Sequence, residues 1–440
     1  MKIAIVGTGY VGLVTGTCLA EIDAGNIICV DIDDIKINNL KKGISPIYEN
    51  RLEELINKNY KKGNLDFTTD YKYAYKDADV IILAVGTPER DDGSANLEYL
   101  FDACDKIAST INKDTLVVVK STVPIGTCNS IEKYINEKLN NNISVEVASN
   151  PEFLSQGTAV EDTLNASRII IGVKSKYAEE ILRKIYKPFN ITIVCVNRES
   201  SEMIKYASNN FLALKISYIN DIANLCEKVG ANIDDVVKGM KFDIRIGDKF
   251  FNAGIGYGGS CFPKDTKALY NRANNCDYEL RTIKAAIDVN ESQKLKLIEK
   301  ANKIVKSFDG LNVAILGVTF KPGTDDMREA PSISNIKYLI DNGANVRVYD
   351  PIGTDNCKKI FKNDNMIFLF LIEKSIPIIP KVGQINIVAS PNGLSPFPKT
   401  NSKLSTGKNI ATTHITIPKI KIGTSTCLFI PPPKLNHENL

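Results

Sequence analysis

The stretch KIAIVGTGYVG, residues 2–12, decides the fold of the first part of the chain. A short apolar run leads into three glycines spaced as G-x-G-x-x-G, and a helix of small residues is predicted from there through about Ala24. A second run, NIICVD, ends on Asp31, about 20 residues beyond the turn. This order of strand, turn, helix and strand is typical of a dinucleotide-binding Rossmann unit; the alternative is a tight turn in an unrelated α/β protein.

Each glycine of this turn has a physical role in such a unit. Gly7 permits the turn, Gly9 lets the backbone approach a pyrophosphate, and Gly12 lets the helix pack on the strand. The N-terminus of the following helix favours an anion. We expect Asp31 to hold the ribose hydroxyls, and an acid there repels a 2′-phosphate, which favours NAD over NADP.

The composition indicates a soluble globular protein of two or three domains. The chain has 440 residues, of which 43% are hydrophobic and 24% charged, and its net charge is +4. So small a charge does not indicate a nucleic-acid partner. No stretch reaches the ~18 apolar residues of a membrane span, and the first apolar run meets glycines without a signal-peptide cleavage region.

Cysteine and histidine usage narrows the chemistry. Ten cysteines occur without a CxxC pair, so we expect reduced thiols in the cytoplasm, with neither a disulfide framework nor a metal site. Only two histidines occur, His414 and His437. We therefore expect Asp, Glu, Lys or water to carry any acid–base catalysis.

Further buried strands are predicted to continue the first domain to about residue 197. The runs ADVIILAVGTP, TLVVVKSTVP and VEVASNPEF each stop in a polar loop, at Thr87–Pro88, Thr122–Pro124 and Glu152 respectively. Parallel strands present ligands at their carboxyl ends, so these loops are candidate site segments. The runs RIIIGV and ITIVCV are expected to complete the domain.

A long helix is predicted from Glu199 to about Val229, because this stretch contains no Gly or Pro. Lys205 and Asn209 are spaced i, i+4 on one face of it, as either a site pair or a solvated surface pair. A helix of this length between two domains is also a natural dimer element. A second α/β unit, without the glycine fingerprint, begins at Leu311.

In the stretch GIGYGGSCFPKDT, residues 254–266, four glycines precede Cys261 and two charged residues, Lys264 and Asp265, follow it. A nucleophile that a bulky ligand must approach needs both features, with Lys264 favouring a thiolate and Asp265 available as a base. The alternative is a small buried hydrophobic cysteine, which needs neither feature.

Together these motifs resemble the nucleotide-sugar dehydrogenase family, most closely its members that oxidise UDP-glucose. The matching stretches, in family order through about residue 360, are GTGYVG, VDIDDIKI, AVGTP, STVPIGT, NPEFL, KYASNNFLALKISYIN, RIG, GYGGSCFPKDT and GVTFKPGTDDMRE. The resemblance implies an α/β protein with an N-terminal Rossmann NAD-binding domain, a central long-helix dimerisation region and a second Rossmann-like domain. It also implies a homodimer or larger homo-oligomer.

The reaction of that family converts a primary alcohol of the nucleotide sugar to a carboxylate with two NAD. The resemblance implies that Cys261 attacks the intermediate aldehyde to form a thiohemiacetal, whose oxidation gives a thioester that water hydrolyses. It also implies that Gly256, Gly258 and Gly259 let the sugar lie against the backbone.

The resemblance assigns the other site residues by position, with Glu152 and Thr122 in hydrolysis and Arg245 crossing a subunit interface. The catalytic residues it implies are Cys261, Lys205, Asn209, Asp265, Glu152 and Thr122. Its NAD contacts are Gly7, Gly9, Tyr10, Val11, Gly12, Asp31, Lys36, Thr87, Thr122, Gln156, Lys264 and Arg328. Its substrate contacts are Glu152, Phe153, Leu154, Lys205, Asn209, Arg245, Phe250, Tyr257, Gly258 and Lys321. Plain surface charge is the alternative for Lys36, Arg245 and Arg328.

Two departures from the family pattern stand out. Many members have Glu at the position of Gln156, which can hydrogen-bond but cannot act as a base. After about Asp364 the pattern is lost, and residues 365–440 hold nine of the 18 prolines but no Tyr, Arg or Asp. We therefore expect domains at 1–197, 198–300 and an incomplete 301–364, followed by an atypical tail from a shifted reading frame or unrelated sequence.

Three other functions stay open on the sequence. A sister enzyme acts on GDP-mannose or an N-acetylated UDP-hexosamine. A single-step dehydrogenase of the hydroxyacid type needs no cysteine. A degenerate chain binds NAD without turnover, because its second α/β unit is incomplete.

Overall fold

The computed structural model describes residues 1–139, 143–362, 366–368 and 386–390, and the chain divides into two compact units. The first unit comprises Met1–Phe251 with Ser260–Asn290, and the second comprises Asn252–Gly259 with Glu291–Leu440. Residues 365–440, predicted to be an atypical tail from a shifted reading frame or unrelated sequence, lie outside the described residues, apart from 366–368 and 386–390.

The secondary structure follows the alternation of strands and helices that an α/β chain requires. The strands of the described residues are β1 (Lys2–Val6), β2 (Asn26–Val30), β3 (Leu65–Thr68), β4 (Val80–Leu83), β5 (Thr115–Val119), β6 (Val145–Ser149), β7 (Ile169–Gly172), β8 (Ile193–Val196), β9 (Asn312–Leu316), β10 (Asn345–Tyr349), β11 (Ile367–Phe368) and β12 (Asn386–Ser390). Their α-helices are α1 (Tyr10–Glu21), α2 (Asp34–Lys41), α3 (Leu52–Lys62), α4 (Tyr71–Tyr75), α5 (Glu98–Ala108), α6 (Thr127–Lys138), α7 (Ala159–Leu164), α8 (Lys176–Tyr186), α9 (Arg198–Val229), α10 (Ile233–Lys241), α11 (Phe262–Asn274), α12 (Arg281–Gln293), α13 (Lys296–Asn302), α14 (Pro331–Asp341) and α15 (Thr354–Ile360).

The first unit is a doubly wound sheet of eight strands in the order β3-β2-β1-β4-β5-β6-β7-β8. Along β1, Ile3 and Ile5 pack into one helix layer with α1, α3 and α8, while Ala4 and Val6 pack into the other with α5 and α6. Because the sheet is covered on both faces, its strands need apolar side chains in both directions, which explains the continuous apolar runs. The predicted Rossmann domain is confirmed.

The edges of this sheet depart from what the apolar runs predict. Neighbouring strands from β3 through β6 are parallel, but β6 pairs antiparallel with β7 at Ser149 and Gly172, and β7 and β8 are parallel again. Helix α1 ends at Glu21, three residues short of the predicted end. Neither β3 nor the reversal at β7 follows from the sequence pattern, because four-residue strands carry little periodicity and strand direction leaves no trace in composition.

Helix α9 confirms the predicted long helix almost to the residue. The side chain of Asn197 caps its first turn by accepting a hydrogen bond from the Ser200 N–H, and Gly230 ends it in the left-handed conformation. No helix among the described ranges is long and apolar enough to cross a membrane.

The second unit has a four-stranded sheet in the order β11-β10-β9-β12. Strands β9, β10 and β11 pair in parallel, and β12 pairs antiparallel with β9. Its core includes Val313 and Ile315 of β9, Val348 of β10 and Leu339 of α14. The prediction of a second α/β unit from Leu311 is confirmed. The two strands beyond residue 364 take the edges of this sheet.

Candidate active site

The glycine turn after β1 is shaped by close packing at two of its three glycines. Gly7 has φ +93°, which L-residues with side chains rarely adopt. A Cβ on Gly12 would lie 1.9 Å from the carbonyl oxygen of Gly7. A Cβ on Gly9, by contrast, would meet nothing within 4 Å. Packing therefore requires Gly7 and Gly12, and it leaves the backbone at Gly9 open at the start of α1.

Asp31 directly follows β2 and faces this turn. Its Oδ2 accepts hydrogen bonds from the Thr8 N–H at 2.8 Å, from the Thr8 hydroxyl at 2.6 Å and from Lys36 Nζ at 3.0 Å. Burial raises the pKa of Asp31, but the bonds from Thr8 and Lys36 outweigh it, so the pKa lies below its usual value. Asp31 is thus a carboxylate held at the carboxyl end of β2, and Lys36 lies beside it.

Glu49 is a buried carboxylate that the sequence motifs do not identify. Its Oε2 accepts hydrogen bonds from the Tyr10 hydroxyl at 2.6 Å and from the Gly157 N–H at 2.8 Å, and its Oε1 accepts one from the Ala159 N–H at 2.9 Å. It therefore joins the tyrosine of the glycine turn to the loop that contains Gln156. A capping acid that precedes its helix by more than 100 residues has no local sequence signature.

The loop after β5, which contains Thr122, is anchored from two sides. Thr87, in the loop after β4, donates from Oγ1 to the Thr122 carbonyl at 2.8 Å. Glu202 of α9 accepts from the N–H groups of Gly126 at 2.6 Å and Cys128 at 2.8 Å. Burial raises the pKa of Glu202 even though both backbone groups favour its charged form. The predicted site threonines are therefore brought together, with Glu202 as an additional anchor.

Lys205 and Asn209 are both 7% exposed, so the alternative of a solvated surface pair is wrong. Lys205 Nζ donates to the carbonyl oxygen of Glu152 and lies 5.2 Å from the ring centroid of Phe153. Asn209 Nδ2 donates to Asp265 Oδ2 at 2.6 Å. The shared helix face thus connects the loop after β6 with helix α11.

Cys261 occupies the N-cap position of α11 and is exposed, so the alternative of a buried hydrophobic cysteine is also wrong. Ser260 Oγ lies 3.7 Å from its Sγ. Four residues on, Asp265 is 1% exposed, and its Oδ1 accepts from Lys264 Nζ at 2.8 Å. One turn of helix therefore separates an exposed cysteine from a fully buried carboxylate that Lys264 and Asn209 hold.

Glu152 has every polar atom of its side chain and its carbonyl oxygen engaged. Its Oε2 forms an ion pair with Lys120 Nζ at 2.9 Å, and its Oε1 accepts from the N–H groups of Phe153 at 2.8 Å and Leu154 at 3.1 Å. Burial raises the pKa of Glu152, but the charge of Lys120 and these hydrogen bonds lower it by more than burial raises it. The pKa of Glu152 therefore lies below its usual value. Like Glu49 and Glu202, Lys120 is a residue that the motifs do not single out as functional.

Two other predicted site residues lie in the first unit around its loops. Phe250 has φ +67°, and its ring centroid is 6.1 Å from that of Phe262, next to Cys261. Arg245 is exposed and forms an ion pair with Asp243 at 2.6 Å; among the described residues, none of its ion pairs reaches a predicted catalytic residue.

The predicted site residues of the second unit lie around residues 252–259 and the loop after β9. Tyr257 is buried, and the Gly259 N–H donates to the Arg328 carbonyl at 2.8 Å. The Arg328 side chain pairs with Asp326 at 2.6 Å, and Lys321 Nζ lies 5.7 Å from the Phe320 ring centroid. A Cβ on Gly258 would lie 2.4 Å from the carbonyl oxygen of Glu329. Close packing thus requires a glycine at 258 before any ligand is considered.

Metal-binding clusters are absent from the part of the chain that the structure describes, since no group of three or more His, Cys, Asp or Glu side chains could hold an ion there. Within the same residues, Cys261 and Cys276 are the exposed cysteines. Cys276 lies past the last residue of α11. Of these two cysteines, therefore, only Cys261 is at the end of α11 that contains Lys264 and Asp265.

Comparison with known proteins gives matches along most of the chain. Residues 1–190 match the NAD binding domain of the UDP-glucose/GDP-mannose dehydrogenase family, residues 199–292 its central domain, and residues 314–378 its UDP binding domain. UDP-glucose 6-dehydrogenase YwqF of Bacillus subtilis is 50% identical over 360 residues, which cover 82% of each chain.

Two solved structures extend the likeness to the fold. A UDP-glucose dehydrogenase from Pyrobaculum islandicum is 34% identical with a TM-score of 0.81, over 84% of this chain and 86% of that one. A UDP-D-ManNAc dehydrogenase from Pyrococcus horikoshii is 28% identical with a TM-score of 0.73, over 83% and 87%. Three domain matches in sequence order, a 50% identical relative and the same architecture agree. The chain belongs to the UDP-glucose/GDP-mannose dehydrogenase family.

Proposed function

We propose that this chain is an NAD-dependent UDP-glucose 6-dehydrogenase that oxidises the sugar alcohol to a carboxylate, giving UDP-glucuronate. The observation that carries the proposal is the exposed thiol of Cys261 at the N-terminus of α11, one turn from the buried Asp265–Asn209 contact. A dehydrogenase that stops at the aldehyde has no use for such a nucleophile. UDP-glucose is favoured over other nucleotide sugars by the 50% identity to YwqF, against 28% to the UDP-D-ManNAc enzyme.

The glycine turn fits NAD on its geometry. The open backbone at Gly9 leaves space for a pyrophosphate at the helix N-terminus, and the carboxylate of Asp31 at the adjacent strand end suits ribose hydroxyls. Gly7, Tyr10, Val11, Gly12, Lys36, Thr87, Thr122, Gln156, Lys264 and Arg328 complete the residues that we assign to the cofactor. NAD, when bound, supplies the hydride acceptor for both oxidations.

Cys261 performs the covalent step in this mechanism. Its Sγ bonds to the carbonyl carbon of the aldehyde, and the thiol proton leaves to a base, for which Asp265 is our candidate. Lys205 and Asn209 stabilise the oxyanion that develops on the former carbonyl oxygen. After the second oxidation the sugar is held as a thioester on the same sulfur.

Hydrolysis of the thioester needs a water molecule and a group that takes its proton. We assign Glu152 as that group and Thr122 as a partner of the water. Water oxygen bonds to the carbonyl carbon, the C–S bond breaks with its electron pair remaining on Cys261, and one water proton passes to Glu152. Gln156 cannot replace Glu152, because an amide does not accept a proton at neutral pH.

The substrate contacts also remain proposals. We assign the sugar to Glu152, Phe153, Leu154, Phe250, Tyr257 and Gly258, and the nucleotide end to Lys321 of the unit that matches the UDP binding domain. We keep the division into 1–197, 198–300 and 301–364, with the tail at 365–440, as the proposed domain organisation.

A homodimer in the cytoplasm is the assembly that we propose. On α9, Phe211, Tyr218 and Leu225 are exposed and seven residues apart, so they form an apolar stripe on the face opposite the site pair. We assign Arg245, which is exposed near the equally exposed Phe242 and Ile244, to the substrate of a partner subunit. Analytical ultracentrifugation should show a dimer that Tyr218→Asp weakens; a monomeric wild-type chain contradicts this part of the proposal.

The experiment that tests the function is the yield of NADH per UDP-glucose consumed by the purified 440-residue chain. Two NADH per sugar supports the four-electron reaction, and Cys261→Ser should reduce steady-state turnover by at least a hundredfold. Turnover that Cys261→Ser leaves intact indicates the single-step alternative. The same assay with GDP-mannose and UDP-N-acetylhexosamines identifies a sister enzyme, and NAD binding without turnover of any sugar indicates a degenerate chain.

A further inference from the structure

Lys120 is a buried lysine that no motif and no step of the mechanism above uses. It directly follows β5 and is 6% exposed. A lysine is rarely buried unless it is paired, because removing an ammonium from water is costly. Its partner here is the residue that we assign to hydrolysis. We propose that Lys120 is a positioning residue, which holds the Glu152 carboxylate where it serves thioester hydrolysis; this inference rests on the proposed function.

The contacts of Lys120 leave it little freedom. Its Nζ lies 2.9 Å from Glu152 Oε2 and donates to Asn150 Oδ1 at 3.1 Å. Asn150 is itself held, since the Tyr186 hydroxyl donates to its Oδ1 and its Nδ2 donates to the Ile170 carbonyl at 2.8 Å. The ammonium therefore occupies one place, defined by groups from β7 and α8, and the carboxylate is drawn to it.

Glu152 connects this buried lysine to the site. While Oε2 faces Lys120, Oε1 holds the N–H groups of Phe153 and Leu154, and the carbonyl oxygen accepts from Lys205. Without Lys120, Glu152 Oε2 loses the ammonium group that faces it, and the loop whose carbonyl oxygen accepts from Lys205 loses one anchor. Local loosening and a change in charge state are both expected at the same residue.

The charge state matters because a base must be ionised to take a proton from water. The titratable groups that face Glu152 are Lys120 after β5, Lys205 on α9, Tyr186 on α8 and Cys18 on α1. Burial alone raises the pKa of Glu152, and Lys120 is the largest influence that lowers it. Loss of this opposite charge therefore raises the pKa of the Glu152 carboxyl. The acid limb of hydrolysis should move to higher pH.

The test uses Lys120→Met in the full-length enzyme with UDP-glucose and NAD. We expect a first turnover that releases NADH at close to the wild-type rate, followed by a steady state at least about tenfold slower than that of the wild type on the acid side of the pH profile. Intact-protein mass spectrometry should detect the acyl adduct on Cys261, and steady-state turnover should recover as the pH is raised. Lys120→Arg, which keeps the charge, should retain most of the wild-type pH profile.

Arg198→Met is the matched control. Arg198 is 4% exposed and pairs with Glu132 at 2.7 Å, so its loss also breaks a buried ion pair of the first unit, but one outside the assigned site. It should lower stability without moving the pH profile of turnover. A pH profile that moves equally in Arg198→Met, or one that stays unchanged in folded Lys120→Met, overturns the proposal.

A double variant keeps the proposal testable if Lys120→Met does not fold. Lys120→Met with Glu152→Gln contains no unpaired buried charge. If Lys120 acts through Glu152, adding Lys120→Met to Glu152→Gln should change hydrolysis less than twofold; a further tenfold loss contradicts the proposal. A wild-type enzyme that yields fewer than two NADH per sugar refutes the proposed function instead, so the two failures are distinguishable.

Discussion

Two glycine-rich loops of this chain, residues 7–12 and 254–259, look alike in sequence but are tight for different reasons. In the first loop, a Cβ on Gly12 would lie 1.9 Å from the carbonyl oxygen of Gly7, and one on Gly7 would lie 2.9 Å from the Ala84 carbonyl oxygen. In the second, a Cβ on Gly258 would lie 2.4 Å from the Glu329 carbonyl oxygen. Each loop also has a glycine, Gly9 or Gly254, around which a Cβ would meet nothing within 4 Å.

Each loop thus contains glycines at which the protein's own packing leaves no space for a Cβ, and one glycine at which a Cβ would have space. The first loop is tight against itself and against the residues that follow β4, so its spacing shows in the sequence as a motif. The second is tight against a segment some 70 residues away, so nothing in its own spacing reveals the contact. Packing against Glu329 therefore requires a glycine at position 258, whether or not the sugar contacts this residue.

Among alanine substitutions at Gly12, Gly258, Gly9 and Gly254, Gly12→Ala should have the largest effect. The clash is with main-chain atoms, which cannot rotate away, and overpacking of this kind costs about 3 kcal/mol or more. We expect a lower free energy of unfolding, measured by urea denaturation, together with loss of NAD binding in a fluorescence titration. A variant with normal stability and normal NAD affinity contradicts the packing assignment of this loop.

Gly258→Ala should have the next largest effect, and it should affect the second unit. The Cβ must displace the Glu329 carbonyl or the loop, at a cost of about 1–3 kcal/mol. Because Cys261 is three residues further on, we expect turnover to fall while NAD affinity stays within about twofold of wild type. Calorimetry and steady-state kinetics measure the two quantities, and unchanged turnover shows that the loop has no part in placing the thiol.

Gly9→Ala distinguishes a ligand requirement from a packing requirement. The space around its Cβ is open and its φ of −73° suits alanine, so the free energy of unfolding should change by less than about 1 kcal/mol. If a pyrophosphate lies against this backbone, the Kd for NAD should rise by about tenfold or more, equivalent to about 1.4 kcal/mol. Isothermal titration calorimetry decides; an unchanged Kd moves the cofactor away from Gly9.

Gly254→Ala is the control for the second loop and should have the smallest effect. Its Cβ also has open space, and an added side chain restricts the unfolded chain, which stabilises a compatible site by about 0.4–1 kcal/mol. We expect a melting temperature equal to or slightly above that of wild type, with turnover unchanged. A loss as large as that of Gly258→Ala indicates that any side chain in this loop is harmful, and the contact with Glu329 then explains nothing.

The candidate site shows which inferences a sequence supports. The i, i+4 spacing of Lys205 and Asn209 places both side chains on one helix face, whatever surrounds the helix. Their burial, and their contacts with Glu152 and Asp265, could not be predicted, because partners far apart in sequence leave no spacing to read. For the same reason Lys120, Glu49 and Glu202 escape notice, although each holds a loop of the site.

The sequence by itself determined the local features of this protein. The run from Lys2 to Gly12, the bounds of α9 and the contrast between glycines and charge around Cys261 follow from dihedral preference, helix capping and chemistry between near neighbours. Only the tertiary structure decided that β7 runs opposite to β6, that Gly258 packs on Glu329, and that Glu152 is paired with a buried lysine. These are contacts between distant segments, which form because the whole fold brings them together.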